Sequence, residues 1–132
     1  MQTRGKQLLS VGAGGATGAL VRELLGHVDG MPPEIGILFA NMLGCGLIGL
    51  VLHIEHRLHP HVREFNAAGF CGGLTTVSGW SLVLVRYLAA DEFGQATFFA
   101  VIGLVSGIVA LLVGRLLAAG IESVFLQLGR QP

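Results

Sequence analysis

The sequence predicts an all-α membrane protein, with four transmembrane helices that form one domain over residues 1–132. Hydrophobic residues make up 52% of the chain and charged residues only 12%, a balance too apolar for a soluble domain of this length. The mean hydropathy of +0.72 agrees. Three runs lack Asp, Glu, Lys and Arg, at residues 35–54, 65–85 and 93–114. Each run can cross a hydrocarbon core of ~30 Å at ~1.5 Å per helical residue.

A shorter apolar run at residues 7–21 predicts the first helix, which residues 24–28 extend if Arg22 and Glu23 pair or face a cavity. Gly14 and Gly18 have the spacing of helices that pack closely. Residues 11–18 also fit the G-x-x-G-x-x-G pattern of a nucleotide-binding loop. That loop requires a βαβ unit, whereas an uncharged run follows here. We therefore predict a packed membrane helix and no enzyme.

The second helix, residues 35–54, carries a single amide near its middle, at Asn41. An amide at membrane depth is costly unless it finds partners. Two interpretations of Asn41 stay open, an interhelical hydrogen bond and a pore-lining group whose NH₂ donates to an anion. The connections that flank this helix, at residues 29–34 and 56–64, contain prolines.

The third span is predicted to be a broken helix, because residues 69–81 place adjacent glycines and a Thr-Thr-x-Ser cluster at its middle. Irregular backbone at membrane depth is tolerated only where protein buries it or where it lines a cavity. Its freed carbonyls can coordinate ions. Trp80, the only tryptophan, lies inside the span, which leaves open that it faces such a cavity. Hydroxyls that can donate to an anion are carried by Thr75, Thr76, Ser78 and Ser81.

The candidate pathway thus offers neutral donors, and no Lys or Arg lies at the centre of a predicted span. Arg22 lies near a helix end, where it can draw anions into a vestibule. Such a pathway suits a small, strongly hydrated anion that must pass without binding tightly.

On the fourth helix, residues 93–114, Gly103 and Gly107 repeat the four-residue glycine spacing of closely packed helices. The net charge of zero indicates no nucleic-acid partner.

Three motifs, in order along the first three helices, resemble the small fluoride channels of the Fluc or CrcB family. Residues 14–22, G-G-A-T-G-A-L-V-R, are similar to the family pattern GGxxGAxxR. Residues 36–44, G-I-L-F-A-N-M-L-G, are similar to GTLxVNxxG, and residues 69–78 are similar to GFxGGxTTFS. The resemblance implies a multi-pass channel in a prokaryotic inner (plasma) membrane. It implies passive export of cytoplasmic fluoride, which lowers fluoride toxicity, by four-helix subunits paired antiparallel.

The resemblance also implies roles for individual residues. Asn41 would be the pore amide and Arg22 the vestibule cation. A structural Na⁺ would lie at the two-fold axis of the dimer, held by the backbone carbonyls of Gly72 and Thr75. The residues expected to line the pore and bind fluoride are Asn41, Thr76, Val77, Ser78, Trp80 and Ser81.

Several positions depart from the family pattern. The family continues TTFSTF, with two phenylalanines whose ring edges contact fluoride, and those places hold Val77 and Trp80 here. A valine has no positive ring edge, whereas a tryptophan keeps one. Ile37 replaces a threonine of the second motif. On the fourth helix, Phe99 and Gly103 align with places where many members carry Tyr or Asn and then Ser or Thr.

Two alternatives to a self-sufficient channel stay open at this stage. The first is a pore-degenerate subunit that forms a heterodimer with a paralogue, because six basic residues lie toward one side of the membrane and two toward the other. That bias indicates one orientation with cytoplasmic termini, whereas an antiparallel homodimer needs dual topology. The six are Arg4, Lys6, Arg57, Arg63, Arg115 and Arg130, and the two are Arg22 and Arg86. The second alternative is a small multidrug-type transporter, although Glu23 lies past the centre of the first helix.

Overall fold

The structure is a computed structural model that describes residues 2–128 of the chain, which are almost entirely helical. In chain order the α-helices are α1 (Gln2–Gly26), α2 (Pro33–Ile54), α3 (Pro60–Glu64), α4 (Gly72–Leu74), α5 (Val77–Ala89) and α6 (Phe93–Leu128). A 3₁₀ turn at Glu55–Arg57 follows α2, and a π-helical segment at Phe65–Cys71 joins α3 to α4. Arg130, which was counted in the topology prediction, lies outside the described residues.

Four helical segments are long and apolar enough to cross a membrane, as the sequence predicts. They are Arg4–Gly26, Pro33–Arg57, Pro60–Ala89 and Phe93–Val124. The third segment contains α3, the π-helical segment, α4 and α5 in succession. Large apolar side chains are exposed on every span, and no polar or charged residue of the described range is fully buried. This distribution suits a lipid environment and confirms the all-α membrane architecture.

The first and last helices differ from their predicted boundaries. α1 begins at Gln2 rather than at residue 7, and it ends at Gly26 rather than at residue 28. α6 continues to Leu128, well past residue 114, where the uncharged run ends. Arg115, the charge that ends this run, has an exposed side chain, and arginine is a good helix former. A charge therefore marks the limit of an apolar run and not the limit of the helix.

The sequence analysis left two options for Arg22 and Glu23, which were pairing with each other and facing a cavity. The prediction that the two side chains pair with each other is wrong. Arg22 donates to backbone carbonyls of the third span, whereas the Glu23 carboxylate lies 3.5 Å from the ring of His27. Adjacent residues on a helix point in different directions, so their side chains do not face one another.

α1 packs against the third span through its glycines, as their spacing predicts. A Cβ at Gly14 would lie 2.8 Å from the backbone nitrogen of Phe70, and a Cβ at Gly18 would lie 2.8 Å from that of Leu74. Both distances are shorter than any side chain tolerates. The two backbones therefore approach one another directly, and α1 lies alongside both the π-helical segment and α4.

α2 and α6 form the other close helix pair. A Cβ at Gly114 would lie 2.9 Å from the carbonyl carbon of Gly46, so glycine is required there for the approach. Beyond this contact, Glu122 of α6 accepts from Arg57, and its Oε2 lies 3.0 Å from Nε2 of His53. These polar contacts hold the last turns of α6 against the end of α2.

We expect Gly14→Ala to destabilise the subunit, because its methyl group would overlap the backbone of the third span. Overpacking of this kind costs about 1–3 kcal/mol. Gly12→Ala is the matched control, because it lies on the same helix and its added Cβ meets no other part of the described chain within 4 Å beyond the local helix backbone. Thermal unfolding in detergent, followed by circular dichroism, measures both variants. Equal melting temperatures for the two would contradict the direct backbone contact.

Candidate functional site

Helical geometry stops at Leu74 in the middle of the third span and resumes at Val77. Between them, Thr75 has φ −78° and ψ 150°, and Thr76 has φ −147° and ψ 113°, so both residues are extended. We call these two residues the interruption. A helix end leaves backbone N–H and C=O groups without intrahelical partners. At membrane depth those groups need partners from elsewhere in the protein.

Asn41 of α2 supplies two of these partners. Its Oδ1 accepts a 2.7 Å hydrogen bond from the backbone N–H of Thr76, and its Nδ2 donates to the Thr76 carbonyl at 3.3 Å. The carboxamide thereby pairs with the extended backbone as a neighbouring peptide group would. A primary amide has two N–H groups, so one Nδ2–H is used here and the second can serve another acceptor.

Thr76 itself begins α5. Its Oγ1 accepts from the backbone N–H of Gly79 at 3.0 Å, which is the N-cap bond expected of a threonine with extended backbone. The same oxygen lies 3.1 Å from the hydroxyl of Ser78. Val77 and Ser78 are exposed in this first turn. The positive end of the α5 dipole therefore coincides with a cluster of neutral donors.

Arg22 of α1 contacts the backbone at the start of the interruption. Its guanidinium donates to the carbonyl of Gly73 at 2.6 Å and to the carbonyl of Thr75 at 3.3 Å. A cation is favourable beside the carbonyls that end a helix. The sequence placed Arg22 in a vestibule, and the structure places its guanidinium against the interrupted backbone.

The carbonyls of Gly72 and Thr75, expected to hold Na⁺, have lost their usual helical donors. In a continuous helix the N–H of Thr76 would donate to Gly72 and the N–H of Gly79 to Thr75. Those N–H groups are instead bonded to Asn41 Oδ1 and to Thr76 Oγ1. Gly72 is also exposed, and an added Cβ there would meet no described atom within 4 Å. Freed oxygens of this kind fit a hard cation, although Arg22 shares the Thr75 carbonyl.

A cavity of about 420 Å³ lies beside the interruption, between α2, α5 and α6. Four predicted pore residues line it, namely Asn41, Thr76, Val77 and Trp80, and Thr75 lines it as well. The α6 wall is formed by Gly103, Leu104, Gly107, Ile108 and Leu111. The sequence analysis aligned Gly103 with a pore position of the family, whereas it treated Gly107 only as a packing residue, because glycine spacing carries no signal for a cavity.

Other predicted site residues lie outside this cavity lining. Ser81 is half-buried on α5, and the hydroxyl of Ser78 is directed to Thr76 on the exposed side. Phe99, one of the aligned fourth-helix positions, is only 4% exposed and packs edge-on against Tyr87 at a ring-centre distance of 6.1 Å. It therefore belongs to the helix core, whereas Gly103 of the same alignment faces the cavity.

We expect Asn41→Ala to destabilise the protein, because both the N–H and the C=O of Thr76 would lose their partner. An unpaired buried backbone group costs about 1–3 kcal/mol. Asn66→Ala is the control, since that amide donates only to the Val62 carbonyl four residues earlier and lies away from the interruption. Hydrogen exchange at Thr76 and thermal unfolding in detergent report the difference. Unchanged exchange at Thr76 in Asn41→Ala would show that the amide does not hold the interruption.

Most of the chain, including the site residues described above, matches a known protein family. The family model described as CrcB-like protein, Camphor Resistance (CrcB), matches residues 9–115. The fluoride-specific ion channel FluC of Ruegeria pomeroyi is 35% identical over 124 residues, which cover 93% of this chain and 98% of that protein. The protein of the same name from Bordetella avium is 46% identical over 103 residues, covering 73% and 79%. That from Chlorobium phaeobacteroides is 36% identical over 126 residues, covering 89% and 97%.

Proposed function

This chain belongs to the CrcB-like family, and we propose on that premise that it is a subunit of a fluoride-specific ion channel. It is a multi-pass membrane protein that conducts passively and is not an enzyme. The observation that carries the proposal is the cluster of neutral hydrogen-bond donors at the interruption. The relatives described above carry the name of a fluoride-specific channel, which gives no support to the multidrug-type transporter or to the pore-degenerate partner subunit.

The hydrogen-bond donors at the interruption suit fluoride because several of them lie close together and none of them is charged. The second Nδ2–H of Asn41, the N–H groups of Val77 and Ser78, and one hydroxyl proton of the Thr76–Ser78 pair lie around two extended residues. Fluoride is a small anion that accepts several hydrogen bonds at once. Neutral donors replace part of its hydration without the strong attraction that would stop it from leaving. We assign Ser81, one turn further along α5, to the continuation of this path.

Arg22 contributes a fixed positive charge close to the path and not inside the cavity. Its guanidinium is bonded to the Gly73 and Thr75 carbonyls, whereas the cavity is lined by neutral residues. Because this charge lies outside the cavity lining, it raises the local concentration of anions without binding them directly. In this assignment Arg22 both attracts fluoride and pairs the carbonyls of the third span.

The working assembly that we propose is an antiparallel dimer with a structural Na⁺ at its two-fold axis. Gly72 is exposed with open space around it, and the Val77 side chain is 76% exposed. A second subunit would cover this surface and bring its own Gly72 and Thr75 carbonyls to the same point. The cation would balance the carbonyl dipoles that converge there. We further propose the plasma membrane of a prokaryotic cell as its location.

Fluoride efflux from liposomes tests the proposal directly. We expect purified protein to release fluoride passively, while chloride release stays at the level of protein-free liposomes. Asn41→Asp should abolish fluoride release, because a carboxylate repels the anion by ~4 kcal/mol for unit charges ~4 Å apart at an effective dielectric of ~20. Asn66→Asp, at a half-buried site outside the interruption, should conduct normally. Equal release of chloride and fluoride by the unmodified protein would contradict the assigned selectivity.

Gly72→Val tests the proposed dimer and its cation. The subunit has room for this side chain, because an added Cβ has no contact within 4 Å beyond the adjacent residues and the backbone of its own helix. We therefore expect the variant to fold but to lose the dimer, as measured by light scattering after size-exclusion chromatography in detergent with and without Na⁺. Gly94→Val, equally open within the subunit at the start of α6, should remain dimeric. If Gly72→Val stays a sodium-responsive dimer, the carbonyl site at Gly72 and Thr75 is misassigned.

A further inference from the structure

A second cavity, of about 290 Å³, lies where three of the spans end at the same side of the membrane. Its walls come from the start of α2, the end of α5 and the start of α6. Glu34 is next to the first residue of its span, Tyr87 is close to the end of the third span, and Gln95 is close to the start of the fourth. We call this cavity the surface groove. Its place at the span ends puts it where the hydrocarbon core meets the lipid headgroups.

The lining of the surface groove changes from polar to apolar with depth in the membrane. Glu34 and Gln95 lie in the first turns of α2 and α6, at the membrane surface. One turn further into the membrane, the same faces of these helices carry Leu38 and Phe98. Phe98 is 69% exposed within the subunit. A polar mouth above an apolar depth is the order of polarity of a phospholipid whose headgroup lies at the surface.

The charged group of the surface groove is the carboxylate of Glu34. This side chain is half-buried, and the ion pairs within the described chain all lie elsewhere. Its oxygens are not among the fully enclosed polar atoms that lack a partner, so a ligand in the groove can reach them. The positive end of α2 stabilises this charge in part. A partly desolvated carboxylate is more stable still with a cation beside it.

Aromatic side chains form the rest of the wall. Tyr87 and Phe99 line the groove and pack edge-on against one another at a ring-centre distance of 6.1 Å, and Phe98 lines it as well. Aromatic rings attract a cation that comes within ~6 Å of their centres. A carboxylate and three aromatic rings in one groove therefore match an ammonium group. The same carboxylate repels an anionic headgroup.

We propose that the surface groove binds phosphatidylethanolamine, with the lipid ammonium at Glu34 and an acyl chain along Leu38 and Phe98. A primary ammonium has three N–H donors for the carboxylate, whereas the quaternary ammonium of phosphatidylcholine has none. Phosphatidylglycerol has no cationic group. The bound lipid contacts α2, α5 and α6 at once and thereby joins their ends at this surface. The site lies apart from the interruption and does not depend on fluoride conduction.

Native mass spectrometry of the purified protein in detergent tests the headgroup without any variant. The protein is mixed with equal amounts of the dioleoyl forms of phosphatidylethanolamine, phosphatidylcholine and phosphatidylglycerol. Because the acyl chains are identical, differences in retention report on the headgroup alone. We expect phosphatidylethanolamine to be retained about fivefold more than either other lipid, as for one favourable contact of a cation at a partly exposed site. Equal retention of the three lipids overturns the proposal.

Glu34→Gln tests the assigned carboxylate, because it keeps the size of the side chain and removes its charge. We expect this variant to lose the preference for phosphatidylethanolamine over phosphatidylglycerol. Glu23→Gln is the matched control, since that carboxylate lies near the end of α1, contacts His27 and does not line the groove. It should keep the full preference. An undiminished preference in Glu34→Gln contradicts the assignment of the carboxylate.

Phe98→Ala distinguishes a lipid from a second copy of the chain as the occupant of the groove. Loss of this exposed ring should reduce the retention of phosphatidylethanolamine. Light scattering after size-exclusion chromatography should give the same oligomeric state as for the unmodified protein. A change of oligomeric state in Phe98→Ala would assign the groove to a contact between copies and would overturn the proposal.

Discussion

The rest of this structure depends on one constraint, which is that two extended residues inside a membrane span must find partners for their backbone. The bilayer core contains no water that could supply these partners. Asn41 pairs both backbone groups of Thr76, the Thr76 hydroxyl caps α5, and Arg22 pairs the carbonyls of Gly73 and Thr75. These contacts come from α1, α2 and the third span itself. The interruption is therefore also what fixes the mutual positions of those elements.

Each polar contact requires a close approach of two helices, and a glycine one turn away permits it. Gly18 lies four residues before Arg22, and its Cα faces the backbone of Phe70 and Leu74 so closely that no side chain fits. Gly44 lies three residues after Asn41, and a Cβ there would overlap the Thr75 side chain. Residues three or four apart share one face of a helix. The spacing of glycine and polar residue in the first two motifs thus follows from packing, because the glycine lets the helix approach closely enough for the polar side chain to reach the third span.

Much of this arrangement could be predicted from the sequence, and the rest could not for physical reasons. Apolar run length determines the spans, and the Gly-Gly and Thr-Thr pairs mark residues that disfavour a continuous helix. The direction of the Arg22 side chain could not be predicted, because it depends on the register between α1 and the third span. The extension of α6 to Leu128 could not be predicted either, since the length of an apolar run does not give the end of the helix. The burial of Phe99 in the helix core could not be predicted, because aromatic residues occur both in cores and along pores.

The resemblance places departures from the family pattern at positions 80 and 103, and the structure brings these two positions into contact, because the indole of Trp80 lies against Gly103. An indole is larger than a phenyl ring, and it occupies space that a side chain at position 103 would fill. A volume-conserving exchange across two facing positions preserves packing at little cost, whereas either change alone would overpack or empty the site. The exchange also changes the chemistry of the cavity, because it introduces an N–H donor on α5 and removes any side-chain hydroxyl from the facing α6 position. A cavity wall without a hydroxyl leaves the path dependent on donors from α2 and α5, which are the same elements that the interruption already holds together.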